Sequence, residues 1–185
     1  MSALRVAVFG PESTGKTSLA EKLAARFGEP WAPEYVRRFW DERGGRVTAD
    51  DLDAIARGQI AAEEDAASRA RRVVFCDTEL LTNVLWADLL FPQKCPAWVR
   101  ERAGERARRY AVYLLCGTDI AFEPDPQRCF PDEAGRQMCM RLWRGTLLSR
   151  GLPVVEIAGD WPEREARAVA AVEAILSGGQ AGRPA

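Results

Sequence analysis

Residues 10 to 17 read Gly-Pro-Glu-Ser-Thr-Gly-Lys-Thr, which fits the pattern G-x-x-x-x-G-K-[ST]. Two glycines at that spacing allow a backbone path that side chains would block. N–H groups along such a path converge on an anion, and a helix starting there adds its positive end. Lys16 supplies a cation for terminal phosphates, and the Thr17 hydroxyl suits Mg²⁺. The pattern predicts that Gly10, Glu12, Ser13, Thr14, Gly15, Lys16, Thr17 and Ser18 surround the phosphates of a nucleoside triphosphate.

A cradle alone does no chemistry. The sequence holds no histidine, which excludes Ser-His-Asp and Cys-His centres, His-ligated zinc and histidine bases. A general base must then be Asp, Glu, Lys or Tyr. Asp77 ends one apolar run and Glu34 follows another, both at carboxyl ends of strands, where open α/β sheets bind ligands. Either can take the proton of an attacking hydroxyl. Asp77 can also serve Mg²⁺, or cap the helix that follows it. Beside Glu34, the Tyr35 ring could stack on a substrate and Arg37 could hold the acceptor or a phosphate. Arg128 lies in a loop broken by Pro124, Pro126 and Pro131, where it could stabilise a transferring phosphoryl group. Arg136 is a second candidate for that lid role. Trp40 and Trp86 read as core or pocket wall.

These groups need a scaffold, and the apolar pattern supplies one. Leu4–Phe9, Trp31–Pro33, Val73–Asp77, Tyr110–Cys116 and Pro153–Ile157 read as strands. Helical spacing follows the first strand through Leu19, Leu23 and Phe27, then recurs over Glu34–Arg43, Thr48–Arg71 and Glu79–Leu90. It returns over Trp98–Arg109, Glu133–Arg150 and Glu163–Leu176. Thr48 with Asp51 resembles a capping box. The mixed charges of Arg100–Arg109 read as a solvated helix face. Strands alternating with helices predict an α/β fold, a parallel sheet with helices on both faces.

The chain of 185 residues suits one core, so residues 1–177 are expected to form a single domain, with a lid near 118–135 and a flexible tail over 178–185. Apolar residues make up 47% and charged residues 29%, and no apolar run is long enough for a bilayer. The 26 basic residues against 27 acidic remove the usual footprint of a nucleic-acid binder, so neither nucleic acid nor membrane is an expected partner. Five cysteines without a C-x-x-C pair and the absence of a charged leader predict reduced thiols in the cytoplasm.

Phosphate loops occur in small-molecule kinases, switch GTPases and motor ATPases. No N-K-x-D segment for guanine recognition is present, and motor ATPases are usually larger, so a kinase for a small acceptor is favoured. A kinase of another nucleoside or nucleotide, or a regulatory NTP-binding module, stays open.

The phosphate loop, Glu34-Tyr35-Val36-Arg37, Phe75-Cys76-Asp77-Thr78-Glu79 with Thr82 and Trp86, Pro126-Gln127-Arg128 and Leu152–Ile157 occur together in that order. In this the chain resembles the ribosylnicotinamide kinase domain of NadR-like proteins, in the P-loop nucleoside/nucleotide kinase superfamily. The resemblance implies a five-stranded parallel sheet of order 2-3-1-4-5. It implies ATP-dependent phosphorylation of the 5′-hydroxyl of nicotinamide riboside. By the match, Lys16 and the loop hold ATP, while Thr17 and Asp77 serve Mg²⁺, directly or through water. Glu34, Tyr35, Arg37, Asp77 and Trp86 line the nucleoside site, and Arg128 is the lid arginine. Larger relatives add a DNA-binding domain and an adenylyltransferase domain with H-x-G-H, a motif that a sequence without histidine cannot carry. Two positions differ from the family pattern: Glu79 replaces an aspartate, and Asp125-Pro126-Gln127-Arg128 replaces D-G-L-R.

Overall fold

The computed structural model describes residues 3–178. All of the expected tail except Gly178 therefore lies outside the described residues. Five strands, β1 (Leu4–Phe9), β2 (Trp31–Ala32), β3 (Val73–Asp77), β4 (Tyr110–Cys116) and β5 (Val154–Ile157), form one sheet. All pairings are parallel and the order is β2-β3-β1-β4-β5, as the family resemblance implied.

Among the described residues seven α-helices connect or flank the strands: α1 (Lys16–Phe27), α2 (Tyr35–Glu42), α3 (Leu52–Arg69), α4 (Leu80–Leu90), α5 (Ala97–Ala107), α6 (Glu133–Ser149) and α7 (Trp161–Leu176). The strands read as unbroken apolar runs because both faces are covered. Val6, Val8, Phe75, Val112 and Leu114 face α1 and α7. Ala7, Phe9, Val74, Cys76, Tyr113 and Leu115 face the layer of α3, α4, α5 and α6. Leu114 and Leu115 are fully buried in opposite layers, each stabilising the fold by about 2 kcal/mol.

Several boundaries differ from the sequence reading, each for a local reason. Thr48 and Asp51 do form a capping box, but it opens a 3-10 turn over Ala49–Asp51 before α3 begins. Helix α7 starts at Trp161, two residues early, because Pro162 fits a first turn and Asp160 pairs with Glu163 in a second capping box. The cap of α4 is Glu79, whose side chain accepts from the Leu81 N–H, so Asp77 is not the N-cap. The face of α5 is not wholly solvated either. Arg106 is buried and its guanidinium pairs with Glu63, at 2.7 Å, and Glu64, at 2.6 Å.

The sheet order places the site. Val8 of β1 is in register with Asp77 of β3, so the loop leaving β1 lies directly beside that carboxylate. Between β4 and α6, residues 117–132 form no helix or strand, in the region expected to be a lid.

Candidate phosphate site and acceptor cleft

The loop after β1 turns back under α1. Gly10 has φ +145°, and a Cβ there would sit 2.8 Å from the Cys116 carbonyl. Gly15 has φ +76° and packs against Trp161, whose ring a Cβ would meet at 2.7 Å. Ser13 (φ 55°) and Thr78 (φ 66°) also take left-handed backbone, a strained arrangement that clusters at functional sites. No side chain among the described residues caps α1, which leaves its first N–H groups for an anion. Ser13, Thr14, Gly15, Lys16, Thr17 and Ser18 line the resulting cradle, with Ile120, Glu123, Arg128 and Trp161 on its far side. The Lys16 ammonium donates to the Pro11 carbonyl at 2.7 Å.

Thr17 donates its hydroxyl to Asp77 Oδ2 at 2.5 Å. The other oxygen of Asp77 is buried and finds no partner among the described residues. Two oxygen donors, one of them unsatisfied, fit a hard cation such as Mg²⁺ that keeps most of its waters. Burial pushes the Asp77 carboxyl up to about 6. The charge of Glu34 adds to this, while Lys16, the Thr17 hydroxyl and Arg37 oppose it.

A second cleft adjoins the cradle. Its walls are apolar, from Val36, Trp40, Leu52, Ile55, Trp86 and Leu90, with Glu34, Gln59, Thr82 and Asn83 as polar points. Glu34 stands at the N-cap position of α2 without capping it, and its carboxylate pairs with Arg37 at 3.2 Å. Arg37 also reaches Asp125 at 3.3 Å, joining α2 to the 117–132 segment. Trp86 stacks on Phe130 (centroids 6.1 Å apart) and meets Trp143 edge-on. Lys16, Arg37 and Arg128 line both cradle and cleft, so three cations stand where the two spaces meet.

Three expected residues have other surroundings. The Tyr35 ring packs on α3 at Gly58, within 2.1 Å of where a Cβ would stand, and does not line the cleft. Glu12 lines the second cleft, not the cradle, and accepts N–H bonds from Cys129 and Phe130. Arg136 is buried and donates to the carbonyls of Thr118 (3.0 Å) and Ile120 (2.8 Å), which props the segment from behind.

Residues that sequence reasoning passed over complete the site. Arg164 of α7 is 1% exposed and donates to the carbonyls of Thr14, Gly117 and Gly159 while pairing with Asp119. It ties the phosphate loop to the ends of β4 and β5. Gln59 accepts the Tyr35 N–H at 2.9 Å and donates to Glu63 at 3.1 Å, so the start of α2 is capped from α3. Trp161 borders the cradle half-exposed. An aromatic at the head of a helix after the last strand was a usable signal for Trp161. Nothing local marks Gln59 or Arg164.

A family model described as an AAA domain matches residues 5–164. The chain belongs to that family. Over 82 residues it is 38% identical to the "Trifunctional NAD biosynthesis/regulator protein NadR" of Escherichia coli (strain K12), a match covering 42% of this chain and 20% of the relative. Two solved structures of NadR, one in complex with NR and one with NAD and AMP-PNP, superimpose with TM-scores of 0.78 and 0.71. Each is 23% identical and covers 99% of this chain and 52% of the other, so this chain spans about half of those proteins. A shikimate kinase from Acinetobacter baumannii in complex with shikimate, 14% identical, gives a TM-score of 0.54 over 95% of this chain and 94% of its own. The fold is similar to that of NadR and of the shikimate kinase. No helix among the described residues is long and apolar enough to cross a membrane.

Proposed function

We propose that the chain is an ATP-dependent kinase of the 5′-hydroxyl of nicotinamide riboside, forming nicotinamide mononucleotide and ADP in the cytoplasm. The observation that carries this reading is the junction where Lys16, Arg37 and Arg128 face both an anion cradle and an aromatic cleft. A γ-phosphoryl group and a sugar hydroxyl brought to that junction can react in line. The likeness to NadR structures holding NR and a triphosphate analogue supports the choice of ligands.

In this reading the loop N–H groups of residues 13–18 and Lys16 hold the phosphates. Lys16 leaves the Pro11 carbonyl to do so. Thr17 and Asp77 would hold Mg²⁺, which when bound supplies charge neutralisation at the phosphate oxygens. Glu34, on the cleft side, accepts the proton of the 5′-hydroxyl as its oxygen attacks phosphorus and the bond to ADP breaks. Arg37 holds Glu34 in place, and Arg128 meets the charge on the transferring group. The apolar cleft with Trp86 receives the base of the nucleoside.

The test is incubation with ATP, Mg²⁺ and nicotinamide riboside. Nicotinamide mononucleotide and ADP should appear in equal amounts, and Lys16→Ala should lower the rate by roughly 10²–10³-fold without unfolding the chain. Faster ADP release with another nucleoside would reassign the acceptor. ATP hydrolysis indifferent to every acceptor would sink the kinase reading.

A further inference from the structure

A carboxylate within a loop that gathers N–H groups for an anion works against the charge of its own ligand. Glu12 is such a residue, and its bonds lead away from the cradle. Its Oε1 accepts the N–H of Cys129 at 2.7 Å and of Phe130 at 2.5 Å, and its Oε2 also accepts from Cys129 at 3.0 Å. These partners lie 117 and 118 residues along the chain. The neighbouring Ser13 hydroxyl oxygen accepts the Glu123 N–H at 2.8 Å and the Arg128 guanidinium at 3.1 Å.

The segment carrying Cys129 forms no helix or strand, so its backbone N–H groups need other acceptors. The N–H groups of Gln127 and Arg128 bond to Asp125 within the segment, while those of Glu123, Cys129 and Phe130 go to the phosphate loop. Pro131 has no N–H, so the run of donors stops there. Glu12 thus fixes the peptide that follows Arg128, the arginine standing where cradle and cleft meet.

We infer that Glu12 is a positioning residue that sets Arg128 over the junction through the main chain of Cys129 and Phe130, and does not itself bind nucleotide. The chemistry required of it is an oxygen acceptor at Oε1. A glutamine places a carbonyl oxygen there and meets both N–H groups, whereas an alanine meets neither. A metal-binding or proton-transferring role would need the charge, which glutamine lacks. The inference rests on the kinase reading for its kinetics, but the position of the segment is measurable without any substrate.

Two measurements test it. Residue-resolved amide exchange on the ligand-free protein should find Cys129 and Phe130 protected, and Glu12→Ala should speed their exchange by about tenfold or more. In steady-state assays Glu12→Ala should lower kcat by about 10²-fold with KM for ATP changed less than about threefold, and Glu12→Gln should restore most of the loss. Unprotected Cys129 and Phe130 amides in the wild type would overturn the inference. So would a Glu12→Gln variant as slow as Glu12→Ala, or a KM for ATP that rises as far as kcat falls. Should Glu12→Ala not fold, wild-type exchange and the Glu12→Gln kinetics decide alone. Should nicotinamide riboside prove not to be the acceptor, the exchange result still stands or fails by itself.

Discussion

At Asp77, burial and the charge of Glu34 act together to keep a proton on the carboxyl up to about pH 6, against Lys16, Thr17 and Arg37. If the reaction needs Asp77 ionised, kcat/KM for the free enzyme should rise with pH through an apparent value near 6. Glu34→Gln removes the charge that raises Asp77, so it should move this limb to lower pH while lowering kcat by roughly 10²–10⁴-fold. A pH–rate profile of the variant checks both; an unmoved limb would show that the two carboxylates do not sense each other. Lys16, Thr17 and Asp77 were legible in the sequence because a local motif or a strand end fixes where each must lie, and Arg128 only because prolines mark the loop that carries it. Tyr35 was not. Its surroundings depend on Gly58, a residue 23 positions away that offers no Cβ to hold the ring off. Glu12 fell inside the motif, yet its partners come from a segment with no pattern of its own.

Between elements, the polar group that matters most is buried. Glu63 of α3 has no exposure and takes bonds from Arg106 of α5, Tyr110 of β4 and Gln59, whose other end holds the start of α2. Removing one member of such a pair leaves an uncompensated charge inside. Arg106→Leu should therefore destabilise the protein by about 3–5 kcal/mol, read as a lower urea midpoint, and replacing Glu63 with leucine as well should recover much of the loss. A double variant no more stable than the single one would contradict this. The strands were legible because a short unbroken apolar run between turn residues suits a strand covered on both faces. The buried side of α5 was not, since Arg106 sits among exposed charges and its partner Glu63 is 43 residues back in the chain.

For the molecule as a whole, ionising buried carboxyls sets how stability varies with pH. Burial, with the charge of Glu63, pushes Glu79 up to about 8 from its ordinary 4.5, and Asp77 rises to about 6 from 3.8. Over those windows the folded protein binds more protons than the unfolded chain, so stability falls as pH rises. Each contribution is fully present below the ordinary value and gone above the raised one. Urea midpoints should thus drop between pH 6 and pH 8, and Glu79→Gln should flatten that drop; an equal drop in the variant would assign it to another group. That the sheet is parallel was open to sequence reasoning through its alternation of elements and its strand order only through the family resemblance, whereas the cross-chain anchoring by Arg164 was not, because no short-range pattern reports it. The margins of the sheet carry one more consequence. The outer strand β2 has two residues, and at the opposite margin β5 has four and bears the Glu156–Arg144 pair. An unpaired margin recruits strands from other copies when it is long, flat and apolar. Brevity on one flank and charge on the other deny a second molecule the template for stacking, which protects a crowded solution of this protein from fibrous association.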